Sequence, residues 1–124
     1  MATQGAQIRE TYVAGSDLRA KQFFFVSLAT DGAIDSTGDG AAADGVLLND
    51  PNTGEAASVV VFGRVTVECG ATVTLGASIA SDAAGNAIVA VTAGDIILGK
   101  ALEAGVDGQI ITIDFFKGGN AVPA

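Results

Sequence analysis

Few side chains in this sequence can do chemistry, and the most reactive type among them is a single cysteine. Cys69 closes residues 64–69, in which Val65, Val67 and Cys69 alternate with polar residues. This alternation is typical of a half-buried β-strand that keeps its apolar residues on one face. The chain has no histidine, the commonest general base and metal ligand in proteins. We therefore interpret Cys69 as a buried, unreactive thiol.

The acidic, small-residue segment 31–44 is the candidate cation site. Asp31, Asp35 and Asp39 are spaced by four residues. An EF-hand loop instead supplies oxygen ligands from alternate positions and ends in a bidentate glutamate. We therefore favour a solvated surface loop and predict no metal site.

Sites based on glycine, lysine or paired carboxylates lack supporting residues. Gly38 and Gly40 follow no strand-to-helix transition, and no GK[ST] motif is present to cradle phosphate. A lipoyl or biotinyl carrier needs a lysine in a tight hairpin, whereas Lys100 lies in an apolar strand. Residue spacing alone does not exclude a pair of catalytic carboxylates, as in a glycosidase. A cleft for sugars usually also has aromatic side chains, however, and the chain has no tryptophan and only one tyrosine, Tyr12. We expect no enzymatic activity and no cofactor.

The charge of the chain limits its partners. Six bases oppose 14 acids, for a formal net charge of −8. So few bases cannot neutralise many phosphates, so we expect no direct contact with nucleic acid. The longest apolar run is too short to span a bilayer. No secretory signal is evident at the N-terminus, so we expect the protein to be made and folded in the cytoplasm.

Residues 45–63 predict the clearest structural element, a β-hairpin. The apolar runs 46–48 and 59–62 flank a turn in which Pro51 pre-sets φ, Asp50 can cap with its carboxylate, and Gly54 can take a positive φ. Gly63 predicts a bulge or a change of direction.

Short apolar segments continue along the chain at roughly ten-residue spacing, separated by turn residues. Residues 22–30 predict a core strand, and residues 109–116 a closing strand with Ile111, Ile113 and Phe115 on one face. Phe116 points the opposite way, so one of the two phenylalanines lies at a subunit interface or both are buried within the domain. The pattern predicts an all-β fold, a small antiparallel β-barrel or β-sandwich.

The organisation predicted for the chain has three parts. Residues 1–16 are polar and without a sustained period, which indicates an extended N-terminal arm that becomes ordered only on contact with a partner. Residues 17–118 form a single β domain, and residues 119–124 a flexible tail.

Three stretches together resemble the capsid cement, or head decoration, proteins of tailed bacteriophages. They share an order of glycine-punctuated features and cover nearly the whole chain after residue 14: AGSDLRAKQFFFVSL (14–28), GVLLNDPNTGEAASVVVFGRVTVECGATVTLGASIASDAAGNAIV (45–89) and ILGKALEAGVDGQIITIDF (97–115). The resemblance implies a small, β-tulip-like protein without catalytic residues. It also implies a homotrimer that binds the major capsid protein on the outside of an expanded phage head, within the virion.

The arm offers candidate contacts for that role. Ile8, Tyr12 and Val13 would supply apolar anchors on the capsid or on a neighbouring subunit, and Arg9 and Arg19 would meet an acidic capsid surface. An alternative function is a surface-display module whose loop 31–44 recognises a host-surface glycan, although scarce aromatic residues disfavour sugar stacking.

Overall fold

A computed structural model describes residues 7–116 and 121–122 of the 124-residue chain. Over these residues the chain forms β-strands and no helix, and an antiparallel sheet curls into a half-barrel. The all-β prediction is therefore confirmed. The strands are β1 (Gln7–Val13), β2 (Phe25–Leu28), β3 (Ile34–Ser36), β4 (Gly45–Leu47), β5 (Ala56–Glu68), β6 (Ser78–Ser81), β7 (Ala87–Val89), β8 (Gly99–Ala101) and β9 (Ile110–Phe115).

The long strand β5 organises the sheet. The strand order is β3-β2-β4-β5-β9-β8-β6-β7, and β1 pairs with β5 in addition. β1 covers the first part of β5 and β9 the second, so that Gly63 pairs with both Gln7 and Phe115. Each of these ladders is antiparallel.

The predicted hairpin is present as β4 and β5. Val46 pairs with Val60, and Gly54 has a φ of 82°, the left-handed conformation that its turn requires. The expected cap by Asp50 is wrong in detail, because other side chains accept the hydrogen bonds of the turn. Glu55 Oε1 accepts from the Asn52 N–H at 2.6 Å, and Asn52 Oδ1 accepts from the Thr53 N–H at 2.8 Å.

A β-bulge interrupts β5 at Val61, close to Gly63, which predicted a bulge or a change of direction. Ile8 pairs with Phe62 and Arg9 with Val60, so Val61 is the extra residue, and Gly63 has a φ of 112°. An extra residue moves the following side chains to the opposite face. As a result, Val65 lies in the same core as Val60.

Two apolar cores lie on the two faces of the β2–β4–β5 region. Alternate residues of one strand point to opposite faces, and here both sets are fully buried. The larger core contains Phe25, Val46 and Val60, with the β9 residues that were predicted to share a face. The second core contains Val26, Leu47 and Val59. Phe25 and Phe115 have ring centroids 6.0 Å apart, so Phe115 is buried within the domain.

The N-terminal segment differs from the extended arm that the sequence predicted. Residues 7–13 form β1, and the segment after β1 covers the second core, where Ala14 and Leu18 are each only 1% exposed. Backbone bonds hold this segment to the hairpin turn: Gly54 N–H donates to Ala14 O at 2.9 Å, and Leu18 N–H donates to Pro51 O at 3.0 Å. The described part of the arm is therefore integrated in the fold without a partner.

Two further segments differ from their predictions. The acidic segment 31–44 contains β3, whose Ile34 is fully buried beside β2. In the predicted tail, Ala121 bridges to Ile96, and Val122 N–H donates to Asp95 O at 2.9 Å. The other tail residues lie outside the described part of the chain.

The predicted core strand at residues 22–30 begins later than expected. Phe23 has a φ of 71°, a left-handed conformation that is rare for a bulky residue and ends a strand ladder. Its backbone bonds hold this geometry: Phe23 N–H donates to Leu47 O at 2.7 Å, and Phe23 O accepts from Glu68 N–H at 3.1 Å. The strand therefore starts at Phe25.

The close approach of β4 to β5 predicts a specific sensitivity at Gly45. A Cβ atom there would lie 2.6 Å from Val60 O and would clash with the Val59 side chain, whereas a Cβ at Gly38 meets open space. We expect Gly45→Ala to lower the free energy of unfolding by about 1–3 kcal/mol through overpacking. Gly38→Ala, the matched control, should leave it unchanged or raise it slightly. Urea denaturation measures both, and equal midpoints for the two variants would contradict this packing.

Candidate functional site

Four of the five residues predicted to make contacts lie together on β1. Ile8 and Tyr12 occupy one face of the strand, and Arg9 and Val13 the other, because side chains alternate along a strand. Ile8 is 55% exposed and Val13 is 51% exposed. β1 therefore presents apolar side chains to solvent at both of its ends, on opposite faces.

The polar and aromatic members of this set have different surroundings. The Arg9 guanidinium is exposed and donates to Gln7 Oε1 from Nε at 3.0 Å and from Nη2 at 2.8 Å. Tyr12 is half-buried and packs against the second core, beside its cross-strand partner Ala57. Arg9 is available to an external acidic group, while Tyr12 anchors β1 to its own domain.

Arg19 lies apart from the other four, in the turn after Leu18. Its Nη2 atom is 2.8 Å from Asp17 Oδ2, and both side chains are exposed. The Arg19 guanidinium lowers the pKa of Asp17 to about 2, chiefly through their hydrogen bond. Because Asp17 remains charged at neutral pH, Arg19 is already paired with a carboxylate within the chain.

A groove on the outer face of β5, β9 and β8 is the feature that sequence reasoning missed. It has a volume of about 470 Å³ and is lined by Phe62, Gly63, Arg64, Lys100, Asp114, Phe115 and Phe116. Phe62 is 53% exposed although it ends an apolar run. The bulge moves the Phe62 side chain off the face of β5 that carries Val60. Gly63 predicted a bulge, but the sequence does not show which side chains change face; the pairing of β5 with β1 does.

Charged side chains form a row across the three strands of this groove. Asp114 pairs with Arg64 on one side and with Lys100 on the other. Directly paired residues have their side chains on the same face of a sheet. The row therefore presents two cations around one carboxylate, next to the exposed ring of Phe62.

Cys69 lies inside the larger core, as predicted. The thiol is fully buried, and a Cβ atom on Gly105 would be 3.1 Å from its sulfur. Burial raises the pKa of the Cys69 thiol, and the nearby Glu68 carboxylate raises it further. Both effects keep the sulfur protonated and oppose nucleophilic chemistry.

The acidic residues of segment 31–44 serve as local hydrogen-bond acceptors. Asp31 Oδ1 accepts from Ala33 N–H at 3.1 Å, and Asp35 Oδ1 accepts from Ser16 Oγ at 2.7 Å. Among residues 7–116 and 121–122, no three His, Cys, Asp or Glu side chains are grouped to hold a metal ion. Within the same ranges, no helix is long and apolar enough to cross a membrane.

The burial of Cys69 predicts its chemical behaviour. At pH 8 the folded protein should react with a thiol reagent such as DTNB at least about 100-fold more slowly than the chain unfolded in urea, because both access and thiolate formation are suppressed. A Val91→Cys variant, with a cysteine at a position 74% exposed in the native chain, is the positive control. Equal rates for folded and unfolded wild-type protein would contradict the buried position.

Comparison with known proteins gives a similarity in fold. No protein-family model matches the chain, and no curated protein matches it. Among solved structures, the fold is similar to that of the N base of the head fiber protein gp8.5 of bacteriophage phi29, with a TM-score of 0.70 and 19% sequence identity. The match covers 93% of this chain and 98% of that chain. The two proteins therefore share one fold over nearly their whole lengths.

Proposed function

We propose that the protein is a non-enzymatic capsid decoration protein of a tailed bacteriophage. It binds the outer surface of the expanded head as a homotrimer and stabilises contacts between major capsid subunits. The observation that carries the proposal is the shared fold with the base of a phage head fiber protein, over 93% of this chain. The resemblance of stretches 14–28, 45–89 and 97–115 to head decoration proteins also favours a protein associated with the phage head.

The stability of the domain suits a decoration role. Because β5 is buried on both faces at Val59 and Val60 and the segment after β1 is bonded to the hairpin turn, the scaffold loses little conformational entropy on binding. A ligand that binds only the assembled shell stabilises it by RT ln(1 + [L]/Kd) at each site. Repetition over many sites makes a modest affinity sufficient.

The outward face of β1 that carries Arg9 and Val13 is the proposed capsid contact. Both side chains are exposed, and they combine a cation with an apolar side chain on one short strand. An apolar contact supplies most of the affinity, and Arg9 supplies orientation toward acidic groups on the shell.

A glycan-binding role receives less support from the fold. The single tyrosine, Tyr12, is half-buried against the second core, which reduces the ring surface available for stacking on a sugar. Segment 31–44 is partly strand, and its Asp31 and Asp35 carboxylates already accept hydrogen bonds within the domain.

Binding to heads tests the proposal directly. Purified protein mixed with undecorated, expanded heads should co-sediment with them at micromolar concentration. Val13→Asp should weaken this binding by at least about tenfold, or 1.4 kcal/mol, because it places a carboxylate in an apolar contact. The matched control is Val91→Asp, at another exposed valine that lies outside β1.

Two results would contradict parts of this proposal separately. If the wild-type protein stayed in the supernatant, the capsid-binding role would be wrong. If the wild-type protein and Val13→Asp bound heads equally well, attachment would use a surface other than this face of β1.

A further inference from the structure

The groove on β5, β9 and β8 combines apolar and cationic groups in one concave surface. Phe62 lies at one end, next to Ile8 across the β1–β5 ladder, and both side chains are more than half exposed. Arg64 and Lys100 flank Asp114 in the adjoining row. At about 470 Å³, the groove falls within the range of about 300–1,000 Å³ that is typical of ligand sites.

The charge of the groove is opposite to that of the molecule. The charged side chains of the groove are two bases and one acid, a net charge of +1, whereas the whole chain has a net charge of −8. A cationic, partly aromatic depression attracts an acidic segment that also carries an apolar side chain. Such a segment is present on the surface of the same chain.

The tip of the β2–β3 hairpin has the complementary character. Leu28 is 41% exposed, and Asp31 is exposed in the turn that follows. The tip is held in shape by backbone bonds, with Ala29 N–H donating to Ala33 O at 2.8 Å, and by Gly32 at a φ of 82°. Leu28 N–H also donates to Asp44 Oδ2 at 2.7 Å, which places a second carboxylate beside the tip. It is therefore a rigid, acidic projection with an apolar side chain.

We propose that the β2–β3 tip of one copy docks in the groove of a second copy. Leu28 contacts Phe62, and Asp31 lies against Lys100 and Arg64 of the neighbouring chain. The tip and the groove are different surfaces of the molecule, so the contact is heterologous and a rotation that closes it generates a ring. This proposal deepens the homotrimer named in the proposed function, because it identifies the surfaces that join the subunits.

Charge-reversal substitutions in the tip and in the groove test this proposal. Analytical ultracentrifugation of the full chain at low salt should show concentration-dependent self-association that weakens as salt is added. Asp31→Lys and Lys100→Glu should each weaken association at least tenfold, because each places like charges together. The double variant, Asp31→Lys with Lys100→Glu, should restore association to near the wild-type level. Asp107→Lys, an exposed change outside both surfaces, is the matched control.

Each outcome decides the proposal independently of capsid binding. Restoration in the double variant supports the tip-in-groove contact. A wild-type protein that stays monomeric at about 100 μM, or single variants that associate like wild type, would overturn it. If the protein were monomeric and Lys100→Glu abolished binding to heads, the groove would be a capsid contact and the self-association would be wrong, while the capsid-binding part of the proposed function would stand. Circular dichroism confirms that every variant is folded.

Discussion

The burial of β5 on both of its faces at Val59 and Val60 is the constraint on which the rest of the structure depends. Val59 and Val60 are neighbours in sequence and point into different cores, and their β4 partners Leu47 and Val46 do the same. A strand buried in this way needs cover on two sides. Residues of β6, β8 and β9 cover the face that belongs to the larger core, and the segment that follows β1 covers the face that belongs to the second core. Gly45 contributes by having no side chain, since any Cβ there would meet β5.

This constraint explains why the groove lies beyond the bulge in β5. Beyond the bulge at Val61, the face of β5 that belonged to the second core becomes solvent-facing, and Phe62 and Arg64 lie on it. The groove is thus a consequence of the bulge at Val61. The N-terminal end of β1 lies beside the groove. Ile8 therefore extends the apolar end of the groove, while Arg9 and Val13 face away from it.

The fold class and local patterns were predictable from sequence, and the long-range arrangement was not. Alternation identified the buried faces of β5 and β9, and Pro51 and Gly54 identified the hairpin, because these signals are local. β1 has no apolar alternation: four of its seven residues are polar, and it is a strand because β5 offers an edge some 50 residues away. Ile34 gave too weak a signal within an acidic segment, and the Arg64–Asp114–Lys100 row exists only after β5, β9 and β8 pair.

We propose that this small β domain attaches to the outside of a phage head through one face of β1 and contacts neighbouring copies through the groove on β5, β9 and β8. A cryo-electron microscopy map of expanded heads incubated with the protein tests this most directly. We expect additional trimeric density on the outer surface, with the Arg9 and Val13 face of β1 toward the shell and the β2–β3 tips contacting neighbouring copies. A map without additional density, or with density confined to the inner surface, would contradict it.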